Sequence, residues 1–296
     1  MLVKTTTLFF LVLAVAVMLL IAGCTQQQQQ VQTPTAAPAA PAPTTMQPAD
    51  TIVAGSSTLG TILTDGQGKT LYYFANDVPA SGASSCTGAC AGVWPVFSAG
   101  TIQVSSPLNP ADFGSITRAD GTNQTTWHGW PLYYYQADTK PGDVNGENVL
   151  KTWFVARPGE NVLIAHTPAL GLYLTDASGT TLYYFTKDTS GTSACTGACL
   201  AKWPAFAAAA VSAPSPLSPA DFSTVSRADG VNQTAYKGMP LYYYSGDMKP
   251  GDVNGQGFNN LWYAANVSGI VPVVTAVPTM VPTTIKTPVS YGGGGY

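Results

Sequence analysis

Between residues 51 and 268, apolar positions come in short runs broken by Gly, Asp, Asn and Pro. That spacing predicts strands and turns, not long helices. GTILTDGQGKTLYYF (60–74) places two β-rich runs around Asp65-Gly66, a strong hairpin signal. SITRADGTNQTTWHGWPLYYY (115–135) gives three runs, broken at Asp120-Gly121 and His128-Gly129, and TWFVA (152–156) adds a fourth. This stretch predicts an antiparallel meander of four strands. Helix is scarce. Asn109-Pro110-Ala111-Asp112 and Ser218-Pro219-Ala220-Asp221 each read as a cap, a first-turn proline and a first-turn carboxylate, enough for one helical turn.

The pattern is duplicated. Cys86 and Cys195, Arg118 and Arg227, Trp153 and Trp262 all stand 109 positions apart. Fixed-period self-similarity marks repeated structural units. A weaker repeat lies inside each unit. Tyr72 and Asp77, Tyr133 and Asp138, Tyr183 and Asp188, Tyr242 and Asp247 each form a Tyr-X4-Asp motif. A tryptophan follows each motif: Trp94, Trp153, Trp203 and Trp262. The chain thus carries four half-repeats in the order A-B-A-B. We expect an all-β fold of two tandem antiparallel β domains, 51–158 and 161–268, each a pair of β-meander half-repeats. The alternative architecture is a single four-bladed β-propeller with one half-repeat per blade.

In Tyr133-Tyr134-Tyr135 neighbouring side chains point to opposite faces of a strand. Two readings stand: core and cross-strand packing, or a ligand-stacking platform. The four motif aspartates read as caps of tight turns more readily than as acid/base groups.

The first residues read as an export signal: Lys4, then an apolar run over 8–21. Ile21-Ala22-Gly23-Cys24 has the form of a lipobox, which predicts lipid on Cys24 and loss of 1–23. An uncleaved membrane anchor is the other reading. Either way the chain is expected outside the cytoplasm, at a membrane face. Residues 24–50 are rich in Gln, Pro, Ala and Thr and predict a disordered tether; 269–296 read as a Pro/Thr/Gly-rich tail.

Composition then narrows the chemistry. Only 9% of residues are charged and the net charge is −3, with no basic stripe, so a nucleic-acid partner is not expected. Apart from Cys24, the cysteines form two equivalent pairs, Cys86/Cys90 and Cys195/Cys199. Outside the cytoplasm such pairs predict one local disulfide per repeat, with a shared zinc or a redox pair as alternatives. Pro-Gly-Asp-Val-Asn-Gly occurs twice. Its Asp143 and Asn145, and Asp252 and Asn254, alternate oxygen ligands as a Ca²⁺ loop does, although Glu147 becomes Gln256. A structural turn is the competing reading, and otherwise no cofactor is expected. Asn123-Gln124-Thr125, Asn232-Gln233-Thr234 and Asn266-Val267-Ser268 are sequons. The two histidines, His128 and His166, have no histidine counterpart in the other repeat (Lys237 stands opposite His128), and no phosphate-loop or catalytic-triad pattern is present, so no enzyme is expected.

With its TLYYF, C-x-G-x-C, WP, RADG and GxPLYYY elements around four Tyr-X4-Asp motifs, the chain resembles a family of secreted-repeat lipoproteins. The resemblance covers residues 52 to 267 and implies a surface-exposed lipoprotein. It brings no assigned activity, substrate or catalytic residue. The expectation is a non-enzymatic, membrane-anchored module that binds envelope polymer or glycan or has a structural role in the envelope. A calcium-stabilised scaffold and a redox or electron-transfer accessory protein are the alternatives. A binding module predicts exposed aromatic faces, with Trp127 and Trp130 as candidates.

Overall fold

A computed structural model describes residues 48–269. The signal segment, Cys24, the tether up to residue 47 and the tail beyond Gly269 lie outside the described residues. Each repeat opens with a hairpin: β1 (Thr51–Ser57) with β2 (Gly60–Asp65), and later β9 (Val162–Thr167) with β10 (Gly171–Asp176). A short strand follows, β3 (Tyr72–Phe74) or β11 (Tyr183–Phe185), and then one helical turn, α1 (Ala89–Val93) or α2 (Ala198–Lys202). β4 (Gln103–Val104) runs parallel to β1. The second half of the first repeat supplies β5 (Phe113–Thr117), β6 (Asn123–Trp127), β7 (Trp130–Tyr133) and β8 (Trp153–Val155). In the second repeat these become β12 (Phe222–Ser226), β13 (Asn232–Tyr236), β14 (Met239–Pro240) and β15 (Trp262–Ala264).

The fold is all-β, mostly in antiparallel sheets. The predicted one-turn helices form where their caps stand: Asn109 Oδ1 accepts from Ala111 N at 3.1 Å and Ser218 Oγ from Ala220 N at 3.3 Å. The strand order departs from a simple meander. β5, β6 and β7 follow one another, but β3 of the first half-repeat lies between β7 and β8. The second repeat keeps this plan: β11 pairs with β15, and an isolated Tyr183–Tyr242 bridge joins β11 to the segment just after β14. The halves of a repeat are therefore interdigitated. The expected fourth meander strand is displaced because Tyr72 and Tyr133 face each other across β3 and β7. The sheets hold three, two, two, three and five strands among the described residues, which is not a propeller of equivalent blades.

One hydrophobic cluster runs through both repeats, joining Tyr73, Trp130 and Phe154 to Ile164, Tyr173 and Tyr236. Polar bonds cross the same boundary. Ile164 N donates to Tyr73 Oη at 3.3 Å, His166 N to Ala75 O at 2.8 Å, and Trp130 Nε1 to Ala177 O at 3.1 Å. At the junction, Arg157 Nε and Nη2 both lie 2.8 Å from Oε1 of the buried Glu160. Burial pushes the Glu160 carboxyl up to about 8, against the pull of the Arg157 charge.

One position keeps a backbone shape better suited to another residue. Leu150 has φ +51 and is 82% exposed, whereas its counterpart in the second repeat is Asn259, at φ +53. Left-handed backbone disfavours a leucine and tolerates asparagine. Leu150→Asn should therefore raise stability by ~0.5–1 kcal/mol in urea unfolding. A loss of stability would show that this exposed leucine makes a contact worth more than the relief.

Candidate functional site

The Tyr-X4-Asp residues meet in space, but not within their own motifs. Tyr72 Oη donates to Asp138 Oδ2 at 2.7 Å, and Tyr133 Oη donates to Asp77 Oδ2 at 2.6 Å. In the second repeat Tyr183 donates to Asp247 at 2.6 Å and Tyr242 to Asp188 at 2.7 Å. The pairs are crossed: each half-repeat gives its tyrosine to the aspartate of the other. The register explains why. Tyr72 and Tyr133 are direct partners on antiparallel strands, so each strand ends beside the other's tyrosine. The chain then turns and places its aspartate there.

The second oxygen of each aspartate closes the loop that follows. Asp77 Oδ1 accepts from Ser85 N at 2.6 Å, Asp138 Oδ1 from Asn145 N at 3.0 Å, Asp188 Oδ1 from Ala194 N at 2.7 Å and Asp247 Oδ1 from Asn254 N at 2.9 Å. Each carboxylate thus joins a strand of one half to a loop of its own half. Hydrogen bonds to a charged group contribute ~1.5–3 kcal/mol each, roughly twice a neutral pair. Burial is the leading cause that raises all four carboxyls above their ordinary value, with Asp77 pushed up to about 6. The tyrosine bond opposes that rise at each site without cancelling it. Burial and the adjacent carboxylate push the four phenols well above their usual range, so the proton of each pair stays on the tyrosine.

The tyrosine runs resolve residue by residue. Tyr133 serves the crossed pair. Tyr134 points to the other face and donates to Asp65 at 2.9 Å, as Tyr243 does to Asp176 at 3.1 Å. Tyr135 stacks on Trp94 with centroids 4.3 Å apart. Trp94 in turn lies flat on Trp153 at 3.8 Å, and Trp153 on Phe74 at 4.1 Å. The second repeat builds the same column from Tyr244, Trp203, Trp262 and Phe185. All six tryptophans are buried, Trp127 and Trp130 at 1% and 0% exposure. The expected exposed tryptophan platform is therefore corrected. These rings fill the core, where their large apolar area closes small sheets on one another.

Both cysteine pairs form disulfides, Cys86–Cys90 and Cys195–Cys199, with Cα atoms 5.3 and 5.4 Å apart. Arg118 holds the first loop from inside: Nη2 donates to Cys86 O at 2.5 Å and Nη1 to Gln124 Oε1 at 2.7 Å. Arg227 repeats this with Cys195 O and Gln233, each at 2.7 Å. The arginines and glutamines were not singled out from sequence. Their signal was the verbatim recurrence of RADG and NQT in a chain with few charges.

The Pro-Gly-Asp-Val-Asn-Gly segment reads as a turn. Asp143 Oδ2 accepts from Thr139 N at 3.0 Å and Lys140 N at 3.1 Å; Asp252 Oδ2 accepts from Met248 N at 3.0 Å and Lys249 N at 3.2 Å. Asn145 and Asn254 turn amide nitrogens to the carbonyls of Ala137 and Gly246, both at 3.2 Å. Glu147 and Gln256 do one job in common: a side-chain oxygen takes the N–H of Val155 at 2.6 Å or of Ala264 at 2.8 Å. A neutral glutamine suffices for that, so the pair is explained without a cation. The Asp143 and Asp252 carboxylates are thus engaged by backbone N–H groups of their own turns, as a structural turn requires. His128 and its counterpart Lys237 share φ +49 in the same turn, so the position keeps a backbone shape and not an imidazole.

The geometry defines a class of all-β repeat protein closed by local disulfides and by a buried polar lock in each repeat. A family described as a secreted repeat of unknown function matches at residues 53–98, 114–157, 165–207 and 223–266, and the chain belongs to that family. No curated protein matches the chain, and no solved structure does. The matched segments follow the four half-repeats, each of which holds one Tyr-X4-Asp motif.

Gly146 N donates to Tyr72 Oη at 3.2 Å, and an added Cβ would sit 2.8 Å from Tyr72 Cε1 and from Trp94 Cη2. Gly146→Ala should cost about 1–3 kcal/mol of unfolding free energy by overpacking. Gly255→Ala, beside Tyr183 and Trp203, should match it; a neutral result at both would break the account of this close approach.

The raised carboxyls set a pH dependence. The folded protein holds the Asp77 proton more tightly than the unfolded chain. That contribution, on the order of 3 kcal/mol, is complete below the ordinary value of 3.8 and is lost as pH climbs through about 6. Asp138, Asp188, Asp247 and Glu160 act in the same direction. The lowered carboxyls of exposed Asp120 and Asp229 and of half-buried Asp143 act oppositely, but below 3.8, and the His128 imidazole, lowered by burial, acts oppositely as pH falls below 6.5. The melting temperature should fall from pH 4.5 to 7, and Asp77→Asn should shallow the fall. A rise over that interval would contradict the assignment.

Proposed function

We propose that the protein is a non-enzymatic, lipid-anchored module of the cell envelope. In this reading the paired repeats are the head, and the lipid on Cys24 is what holds the chain at the membrane. One observation carries this reading: the residues that define the repeat face inward. The Tyr-X4-Asp pairs, the tryptophans and the Arg118 and Arg227 guanidiniums are engaged in closing the fold. That favours a structural role over recognition of a polymer by aromatic faces. The membrane is reached through the lipid on Cys24 and not through the head.

Replacing Cys24 tests the anchor and the role of the head together. Cys24→Ser, expressed in place of the native protein, should move the protein from the washed membrane to the soluble extracytoplasmic fraction with an unchanged melting temperature. Retention of the variant on envelope material stripped of lipid would mean that the head itself binds an envelope polymer, and the structural reading would give way.

A further inference from the structure

The three sequons look alike in sequence but stand in different surroundings in the fold. Asn123 opens β6 and Asn232 opens β13, both directly after the RADG turn and both exposed. In each, the side-chain oxygen is the held atom. Asn123 Oδ1 accepts from Thr117 Oγ1 at 3.1 Å, and Asn232 Oδ1 accepts from Ser226 Oγ at 3.3 Å. The amide nitrogens of Asn123 and Asn232 make no hydrogen bond among the described residues. Asn266 is arranged the other way. It is half-buried, and its Nδ2 donates to Leu170 O at 2.8 Å. Its Oδ1 accepts from Ser268 N at 2.9 Å and Ser268 Oγ at 2.5 Å. That nitrogen ties the end of the second repeat to the turn of the β9–β10 hairpin.

We propose that Asn123 and Asn232 carry N-linked glycans and that Asn266 does not. The chain is secreted, the acceptor nitrogens at the two β-strand sequons face solvent, and a sugar there displaces no contact of the fold. A sugar on Asn266 would have to displace the Leu170 bond and the packing around it. In the modification, Nδ2 forms a bond to C1 of a sugar while the bond from C1 to a lipid-phosphate carrier breaks. The amide proton leaves with the released carrier. No oxidation or reduction is involved.

The structure also sets the order of events. The hydroxyl that completes each sequon is sealed: Thr125 Oγ1 accepts from Ala99 N at 2.8 Å and Thr234 Oγ1 from Ala208 N at 2.9 Å. Thr125 and Thr234 are 1% and 2% exposed, and Gln124 and Gln233 are fully buried. The transferring enzyme must read these residues before β6 and β13 dock, so the sugar is added to the chain as it emerges and the strand then folds with its glycan outside. Glycans at these two points would add hydration to a chain in which only 9% of residues are charged.

Glycopeptide and intact mass spectrometry of the full protein from its own envelope decides the matter. The peptides containing Asn123 and Asn232 should each carry a glycan, and the peptide containing Asn266 should have its polypeptide mass. Asn123→Gln and Asn232→Gln should each remove one glycan mass while the protein still folds, since both side chains are exposed. A bare polypeptide mass at either Asn123 or Asn232, or a sugar on Asn266, overturns the assignment.

Discussion

A phenol donating to a carboxylate in each crossed pair is the constraint on which the rest of the structure rests. Tyr133 cannot reach Asp77 unless β3 lies against β7, and Tyr72 cannot reach Asp138 unless the loop after β7 folds back. The pairs therefore fix strand order as well as stability. A buried carboxylate left without its phenol would cost more than the bond contributes, since an unpaired charge keeps its full desolvation penalty. This asymmetry makes the interdigitated arrangement specific: other pairings of the same short strands would strand a charge inside.

Around that lock, packing and polar bonds reinforce one another. The glycine that lets the turn approach Tyr72 also presses on Trp94, which begins the stacked column with Trp153. Arg118 ties the carbonyl of Cys86 to Gln124 on β6, so the disulfide loop is held to the sheet from within. A disulfide closing so small a loop contributes only ~2 kcal/mol by restricting the unfolded chain. The guanidinium adds a second, non-covalent hold on the same loop. The second repeat carries every one of these elements with equivalent partners: Gly255 against Tyr183 and Trp203, Trp203 on Trp262, and Arg227 on Cys195 and Gln233.

Much of this was legible in the sequence, and what was missed has a common cause. Short runs and turn residues gave the strands; the caps at Asn109 and Ser218 gave the one-turn helices. The disulfides followed from compartment and spacing. The motif aspartates were readable as caps, because their backbone partners lie a few residues on. Their tyrosine partners lie in another half-repeat, and periodicity says nothing about which distant strand lies alongside. The same blindness hid the insertion of β3 between β7 and β8. Trp127 and Trp130 were misjudged because alternation along a strand tells which residues share a face, not which face is covered. Glu147 and Gln256 looked like failed ligands until the N–H groups of β8 and β15 showed that an oxygen of either kind would serve.

The crossing of the pairs has an arithmetical consequence. Each half-repeat is a lender and a borrower: it gives one hydroxyl and accepts one. A chain with an even number of halves leaves no debt. A chain with an odd number leaves one phenol without its crossed acceptor and one carboxylate without its crossed donor. Growth of this architecture is thus governed by parity. It closes on itself when it lengthens by whole A-B couples, because each couple satisfies both of its own pairs.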